Sequence, residues 1–522
     1  MKKPPVPASE GPLSPALRRY LYVTAAITGG VIMIVEILGA KMLAPYVGTS
    51  HFVWTAQIAV TLVALAAGYY AGGRLVDRSP KLERLYAAVL GAGLYLCGAT
   101  LVIRPVAYWC LEFKLAPGSL MASALLFFVP LSLLAMVGPF FVRVLTTSVS
   151  GVGGNVGRLT ALSTLGSFAG TVLIGYVLIP HLPNSLTMFL TASLLFVVVA
   201  LYFFSWGRPS RHAPAVVTGV GAGLLLGFLG VRADGRTEWT SSVERFRGNS
   251  NFGLLQVMDT RSGSQRYYLN DYLVQNTYDP AERKSLSMFT YLLHDLARAY
   301  TPQVERVLCI GLGVGIVPMQ FVREGVAVDV AEINPAVVPV AREFFGCEPD
   351  RLNLFLDDGR RFVNRTTNRY DAVILDAFLG DSSPSHLMSR EAFTAMRRIL
   401  KPGGVLVINS FADFHPRQDF FGCSLDKTLK SVFASVLIHS TGRGNVFFVA
   451  SDQEELVARR EPDLAAVHPV AREAVRAAFA NLMTANPDHG RVLTDDFNPV
   501  EFYDAANREA IRRDLARGMK LF

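Results

Sequence analysis

The chain has 522 residues, 51% of them hydrophobic and 18% charged, with a formal net charge of +8 and a mean hydropathy of +0.33. A soluble domain carries about 25% charged residues, so composition excludes an ordinary soluble protein over the whole length. Much of the basic excess flanks apolar runs, which suits orientation in a bilayer better than nucleic-acid binding.

Seven apolar runs occupy the first part of the chain: Leu21–Ala40, Val53–Ala71, Leu85–Ile103, Leu120–Val142, Leu159–Ile179, Leu186–Trp206 and Ala213–Val231. A bilayer core of about 30 Å needs roughly 20 apolar residues per helix, so residues 1–235 are expected to form a multi-pass membrane domain of six or seven spans. The first run has no small-residue cleavage site and is followed at once by further spans, unlike a signal peptide. Lys2, Lys3, Arg18 and Arg19 precede the first run, and Arg74, Arg78, Lys81 and Arg84 follow the second. Arg143 and Arg158 lie after the fourth, and Arg208 and Arg211 after the sixth, whereas the alternate loops carry chiefly Lys41, Arg104 and Lys114. Positive residues concentrate on the cytoplasmic side, so the N-terminus is expected there, with the protein in the cell (inner) membrane and the lipid bilayer as a partner. The last run is short and glycine-rich. Seven spans would put the C-terminal domain outside, away from the cytosolic nucleotide pool. Were the last run interfacial or re-entrant, six spans would leave it in the cytoplasm, and on the chemistry of its ligand the domain is expected there. Glu36, inside the first run, reads as a substrate or proton contact, or as a structural pair with Lys41 or Arg143.

From Arg306 strands alternate with helices: RVLCI, GLGVG and IVPMQFVRE, then AVDVAEI and NPAVVPVAREFF, then LNLFL, YDAVILD, SREAFTAMRRIL and VLVINS after the turn KPGG. This order implies a parallel sheet covered by helices. Ligands of such sheets sit at the carboxyl ends of the strands. Gly311, Gly313 and Gly315 follow the first strand, where glycine permits a tight turn and a close ligand approach. Glu332 ends the second strand 17 residues after Gly315, near the spacing at which an acid meets ribose hydroxyls. Asp357, Asp358 and Gly359 end the third strand and Asp376 the fourth. The set points to a nucleoside ligand. The incomplete GxGxxG pattern and the KPGG turn favour an S-adenosyl ligand over NAD. Five scattered cysteines and nine histidines form no metal-ligand spacing, so no metal is expected.

Residues 250–450 resemble the spermidine synthase (polyamine aminopropyltransferase) family through NFGLLQVMD, NDYLVQNT, RVLCIGLGVG, VDVAEINPAVV, LDDGRRF and YDAVILDAF, with TDDFNPVE following. The segments ITGGVIMIVEILGAKMLAPYVGTS and AAGYYAGGRLVDR are similar to the membrane half of fused membrane–spermidine synthase proteins. The resemblance implies a multi-span α-helical membrane domain followed, over residues 236–522, by an α/β Rossmann-like S-adenosylmethionine-dependent transferase domain with a small N-terminal β-hairpin region. It implies transfer of an aminopropyl group from decarboxylated S-adenosylmethionine to a small amine or polyamine, with no metal and with a homodimer as an allowed assembly. By position, Gln275 and Asp271 would line the nucleotide side, Glu332 would hold the ribose, Asp358 and Gly359 would meet the adenine, and Asp376 would orient or deprotonate the amine.

Three positions depart from the family pattern. The acid of the glycine loop that binds the donor amine is Val314 here. The second acid of the D-S-S-D segment falls on Leu379, with Asp381 nearby, and the tyrosine–glutamine pair falls on Phe289 and Thr290, beside Tyr291. Two alternatives therefore stand beside aminopropyl transfer: a methyltransferase using S-adenosylmethionine, and a non-catalytic transporter or sensor with a nucleoside-binding domain.

Overall fold

A computed structural model describes residues 13–48, 50–146, 151–207, 209–234, 242–378, 384–416, 418–440, 444–503, 509–510 and 512. The chain forms two compact units. One comprises Met1–Leu43, Val53–Cys110 and Ala116–Thr237; the other comprises Ala44–Phe52, Leu111–Leu115 and Glu238–Phe522.

The first unit is helical. Its long helices are α1 (Pro15–Val47), α2 (His51–Arg78), α3 (Leu82–Cys110), α4 (Leu115–Leu145), α5 (Val152–His181), α6 (Asn184–Ser205) and α7 (Pro209–Asp234). Among the described residues, seven helices are long and apolar enough to cross a membrane. The glycine-rich last run is one of them: α7 is a continuous helix of 26 residues, so its glycines do not break it. They instead let large neighbours come close, with Gly223 against the Phe196 ring and Gly227 against Phe189.

Small residues set the tightest helix crossings. Gly166 and Gly170 of α5 press on the backbone of Ala26 and Gly30 in α1, and Gly68 and Gly72 of α2 press on Ser132 and Met136 in α4. With lipid as the alternative neighbour, helices gain little from apolar burial alone, so close backbone packing at small-xxx-small spacings carries the association. Outward faces keep Leu62, Val63, Leu165, Phe168 and Phe204 exposed. Among the described residues no ion pair joins Glu36 to Lys41 or Arg143.

The second unit contains two sheets. The expected hairpin region is larger than a hairpin: β1 (Ser242–Ser250), β2 (Gly253–Thr260), β3 (Arg266–Asn270), β4 (Leu273–Asp279) and β5 (Lys284–Ser285) form an antiparallel sheet in that order. Helix α8 (Met288–Tyr300) leads into the main sheet. There β6 (Arg306–Ile310), β7 (Ala327–Glu332), β8 (Asn353–Leu356), β9 (Tyr370–Leu375) and β10 (Leu400–Phe411) are parallel. The antiparallel β11 (Ser435–Ser440), β12 (Asn445–Ser451) and β13 (Leu482–Met483) complete the order β13-β11-β12-β10-β9-β6-β7-β8.

The inner strands bury both faces, as parallel sheets do, while the edge strand β8 is largely exposed. Val307, Cys309 and Val330 enter one core with Leu292 and Phe321; Leu308, Ile310 and Val373 enter the other with Phe393 and Met396. KPGG, expected as a turn before the strand, is an irregularity inside β10, whose pairing to β9 shifts between Leu400 and Val405 with Gly403 at φ +76°. Because the chain runs β6-β7-β8 to one side and β9-β10 to the other, the crossover of direction falls between β6 and β9. A crevice opens at such a switch point.

Candidate active site

A cavity of about 440 Å³ lies at the carboxyl ends of β6, β7 and β9. Its size suits a nucleoside-sized ligand. Gln275, Gly311, Gly313, Glu332, Asp358, Gly359 and Asp376 all line it, as do Val314, Phe289 and Thr290. Gly315 does not line it. It caps the start of α9 (Ile316–Arg323) at φ +80°, and a Cβ there would strike Cys347. Its role is to turn the loop. Asp271 is also outside the cavity lining: it occupies the β3–β4 turn at φ +47°, and its Oδ1 accepts the Leu254 N–H at 2.9 Å. Leu379 and Asp381 lie outside the described residues.

The glycine loop is held by its neighbours rather than by itself. Gly311 donates its N–H to the Ala331 carbonyl at 2.9 Å, and its Cα faces the Asp376 backbone so closely that a Cβ would collide. Glu332 ties the loop to β7: Oε2 accepts the Leu312 N–H at 2.8 Å and Oε1 the Asn334 N–H at 2.7 Å. Glu332 is 7% exposed. Burial raises its pKa, against the opposing backbone N–H bonds from Leu312, Asn334 and Ile333. Each oxygen keeps a second lone pair, so the group can still accept from a diol in the cavity.

Asp358 has two duties. Its Oδ1 accepts the Arg361 N–H at 2.9 Å, capping helix α10 (Gly359–Arg365), and its Oδ2 pairs with His386 Nε2 at 2.9 Å. Gly359 follows because a side chain would strike Ile310. The helix start therefore offers a polar edge directly over β6.

Asp376 sits at the crevice with a face open to the cavity. Burial pushes its pKa up to about 6, opposed by a hydrogen bond from Asn409. Asn409 Nδ2 donates to Asp376 Oδ1 at 2.9 Å, and Asn445 Nδ2 donates in turn to Asn409 Oδ1 at 2.9 Å. The chain fixes one oxygen of Asp376 and leaves the other to meet a ligand. Sequence reasoning missed Asn409, Asn445 and His386. For Asn409 a signal was present: a polar residue ending the apolar run VLVI, the same argument that selected Asp376. Asn445 belongs to an antiparallel strand that periodicity does not place next to β10.

Phe252, Phe289, Phe378 and Phe411 complete the walls with Val314. The arrangement can hold a nucleoside between apolar faces, fix its hydroxyls at Glu332, and present a carboxylate with a pKa near neutrality to a second reactant. Among the described residues, no group of three His, Cys, Asp or Glu is placed to hold a metal.

Residues 287–451 match the family model of the spermine/spermidine synthase domain. The chain is 29% identical over 235 residues to a polyamine aminopropyltransferase of Vibrio vulnificus, covering 42% of this chain and 77% of that one. It is 32% identical over 126 residues to putrescine N-methyltransferase 2 of Nicotiana tabacum, covering 23% of this chain and 36% of that one. A solved spermidine synthase from Thermotoga maritima aligns with TM-score 0.37 and 18% identity, over 46% of this chain and 84% of that chain.

Proposed function

We propose that this chain, whose C-terminal domain belongs to the spermine/spermidine synthase family, is a membrane-bound transferase that moves an aminopropyl group from decarboxylated S-adenosylmethionine to an amine. The seven long apolar helices support the membrane anchorage. The observation that carries the chemistry is Asp376, a carboxylate at the sheet's switch point, aimed by Asn409 and raised to about 6.

The amine nitrogen attacks the methylene carbon bound to the sulfonium. The N–C bond forms as the C–S bond breaks, and its electron pair returns to sulfur, leaving a thioether nucleoside. The sulfonium is already a good leaving group, so the protein chiefly aligns the partners and frees the nitrogen lone pair. Asp376 accepts the ammonium proton. Glu332 holds the ribose, and Asp358 with the backbone at Gly359 faces the base, while Gln275 on β4 borders the nucleotide side. A base with a pKa near 6 is mostly deprotonated at neutral pH, which is what a general base requires.

A methyltransferase using intact S-adenosylmethionine is the second reading. Val314, buried and apolar in the loop position where the family pattern has an acid, favours it, as does the likeness to a putrescine N-methyltransferase. The test is product analysis with each donor and a panel of amines. An alkylated amine plus methylthioadenosine is expected; S-adenosylhomocysteine would establish methyl transfer instead. Asp376→Asn should lower turnover by about 10²–10⁴-fold while nucleoside affinity changes little. Turnover that survives this substitution removes Asp376 from the reaction.

A further inference from the structure

Along the sequence, the basic residues of the apolar part of the chain concentrate at alternate junctions between its apolar runs. One side has Arg74 and Arg78 in the last turns of α2, Lys81 after it and Arg84 at the start of α3, with Arg143 at the end of α4, Arg158 early in α5, and Arg208 and Arg211 about the start of α7 in sequence. Lys2, Lys3, Arg18 and Arg19 belong to that side as well. The other side has Lys41, Arg104 and Lys114, with Arg232 in the last turn of α7 and Arg236 beyond it in sequence. This bias assigns the first side to the cytoplasm. Seven crossings, an odd number, bring the chain to the other side before β1.

A second observation is independent of whether α7 crosses. The C-terminal unit takes in Ala44–Phe52 and Leu111–Leu115, the junctions of α1 with α2 and of α3 with α4 including the adjoining helix ends. Those junctions are on the side opposite the basic loops. Within the unit they are bonded into the fold. Arg512, 3% exposed, donates from Nη1 to the Pro45 carbonyl at 2.7 Å, and the Leu115 N–H donates to Glu509 Oε2 at 2.9 Å. Tyr46 and Tyr272 bring their rings to 5.8 Å, and Phe52 and Phe502 theirs to 6.2 Å.

Tyr272 makes this more than an incidental touch. It is the second residue of the two-residue turn between β3 and β4, with φ +63° after Asp271 at φ +47°. Asp tolerates that region and an aromatic residue is a poor choice for it. Such strain, of order 1–3 kcal/mol, persists only where the surroundings hold it. The tyrosine is 8% exposed, with its ring against Tyr46.

We infer that the nucleoside-binding domain stands on the extracytoplasmic face of the membrane and draws its substrates from that side. This reverses the expectation from the cytosolic nucleotide pool. It rests on the membrane anchorage proposed above and not on the transfer chemistry. The three thiols of the domain, Cys309, Cys347 and Cys423, are all buried and unpaired, so an oxidising face offers them no route to a bridge.

Cysteine labelling of the full-length protein tests the inference without any need for turnover. All five native thiols are buried, so new cysteines at exposed positions report alone. In sealed right-side-out vesicles, a membrane-impermeant maleimide should label Val470→Cys (a position 70% exposed). It should label Lys81→Cys only after permeabilisation. The reverse pattern overturns the inference. Alkaline phosphatase and green fluorescent protein, fused in turn after Phe522 in a bacterial host, give a second readout. Phosphatase activity with a dark fluorescent fusion supports the placement, and a bright fluorescent fusion with inactive phosphatase overturns it.

Discussion

Glycine does different work in the two halves of the molecule. In the helical unit, Gly68, Gly72, Gly166 and Gly170 keep ordinary helical backbone and are small because a neighbouring helix occupies the space of a side chain. In the second unit, Gly311, Gly313 and Gly315 take φ +100°, +54° and +80°. They are glycine because the backbone bends where other residues are strained, and at Gly311 and Gly315 a side chain would also strike Asp376 and Cys347. The first kind fails by collision between helices. The second fails by distorting the loop that meets the ligand. The two halves should therefore respond to substitution in separable ways, stability in one and ligand handling in the other.

The sharpest way to break the comparison is a bulky residue in the helical unit. Gly166→Leu puts a side chain into the Ala26 backbone. Overpacking costs about 1–3 kcal/mol where neighbours can move, and a helix backbone gives less than a side chain does. The expected result is a lower thermal midpoint in detergent, with nucleoside affinity retained by the molecules that remain folded. A variant of wild-type stability would mean that α1 and α5 do not cross at this point.

Glu332 probes the opposite prediction, loss of ligand without loss of fold. Glu332→Gln keeps one oxygen for the backbone N–H groups of Leu312 or Asn334 while removing the charge that strengthens bonds to a ribose diol. Charged hydrogen bonds contribute about 1.5–3 kcal/mol each, so Glu332→Ala should weaken S-adenosyl ligand binding by roughly ten- to a hundredfold, with Glu332→Gln between it and wild type. Calorimetry on both variants decides this. Equal affinity in all three proteins would limit Glu332 to holding the loop.

How far these features could be read from sequence follows from the range of the interactions. Strand ends and the acids on them are local: apolar runs stop at Glu332 and Asp376, and the spacing from the glycine loop does the rest. The helices α1 to α7 are local too, set by run length. The partners of the site are not local. His386 reaches Asp358 from 28 positions away and Asn445 reaches Asn409 from 36, through loops and an antiparallel strand whose placement depends on the finished sheet. The glycine-rich α7 was ambiguous for another reason: glycine lowers helix propensity by about 1 kcal/mol per residue in water, whereas packing against Phe189 and Phe196 determines the outcome here. Sequence spacing alone cannot tell a glycine that faces the cavity, such as Gly311, from one such as Gly315 that caps the start of a helix.

The smallest expected effect separates the tuning of Asp376 from its presence. Burial raises the Asp376 pKa to about 6, and the Asn409 hydrogen bond opposes that rise. If deprotonated Asp376 is the base, kcat/KM should fall below pH 6, about tenfold per unit, as the carboxylate is protonated. Asn409→Leu removes the donor that favours the charged form and leaves an apolar neighbour, so both changes push the pKa higher. The midpoint of the acidic limb should therefore move to higher pH while the rate on the alkaline plateau changes little, because the base itself is retained. Asn409→Asp is the control in the same direction, since a second carboxylate beside Asp376 also disfavours its charge. An acidic limb that stays in place in both variants would show that the titrating group is not Asp376. A limb that moves to lower pH would show that the Asn409 amide does not stabilise the charged carboxylate.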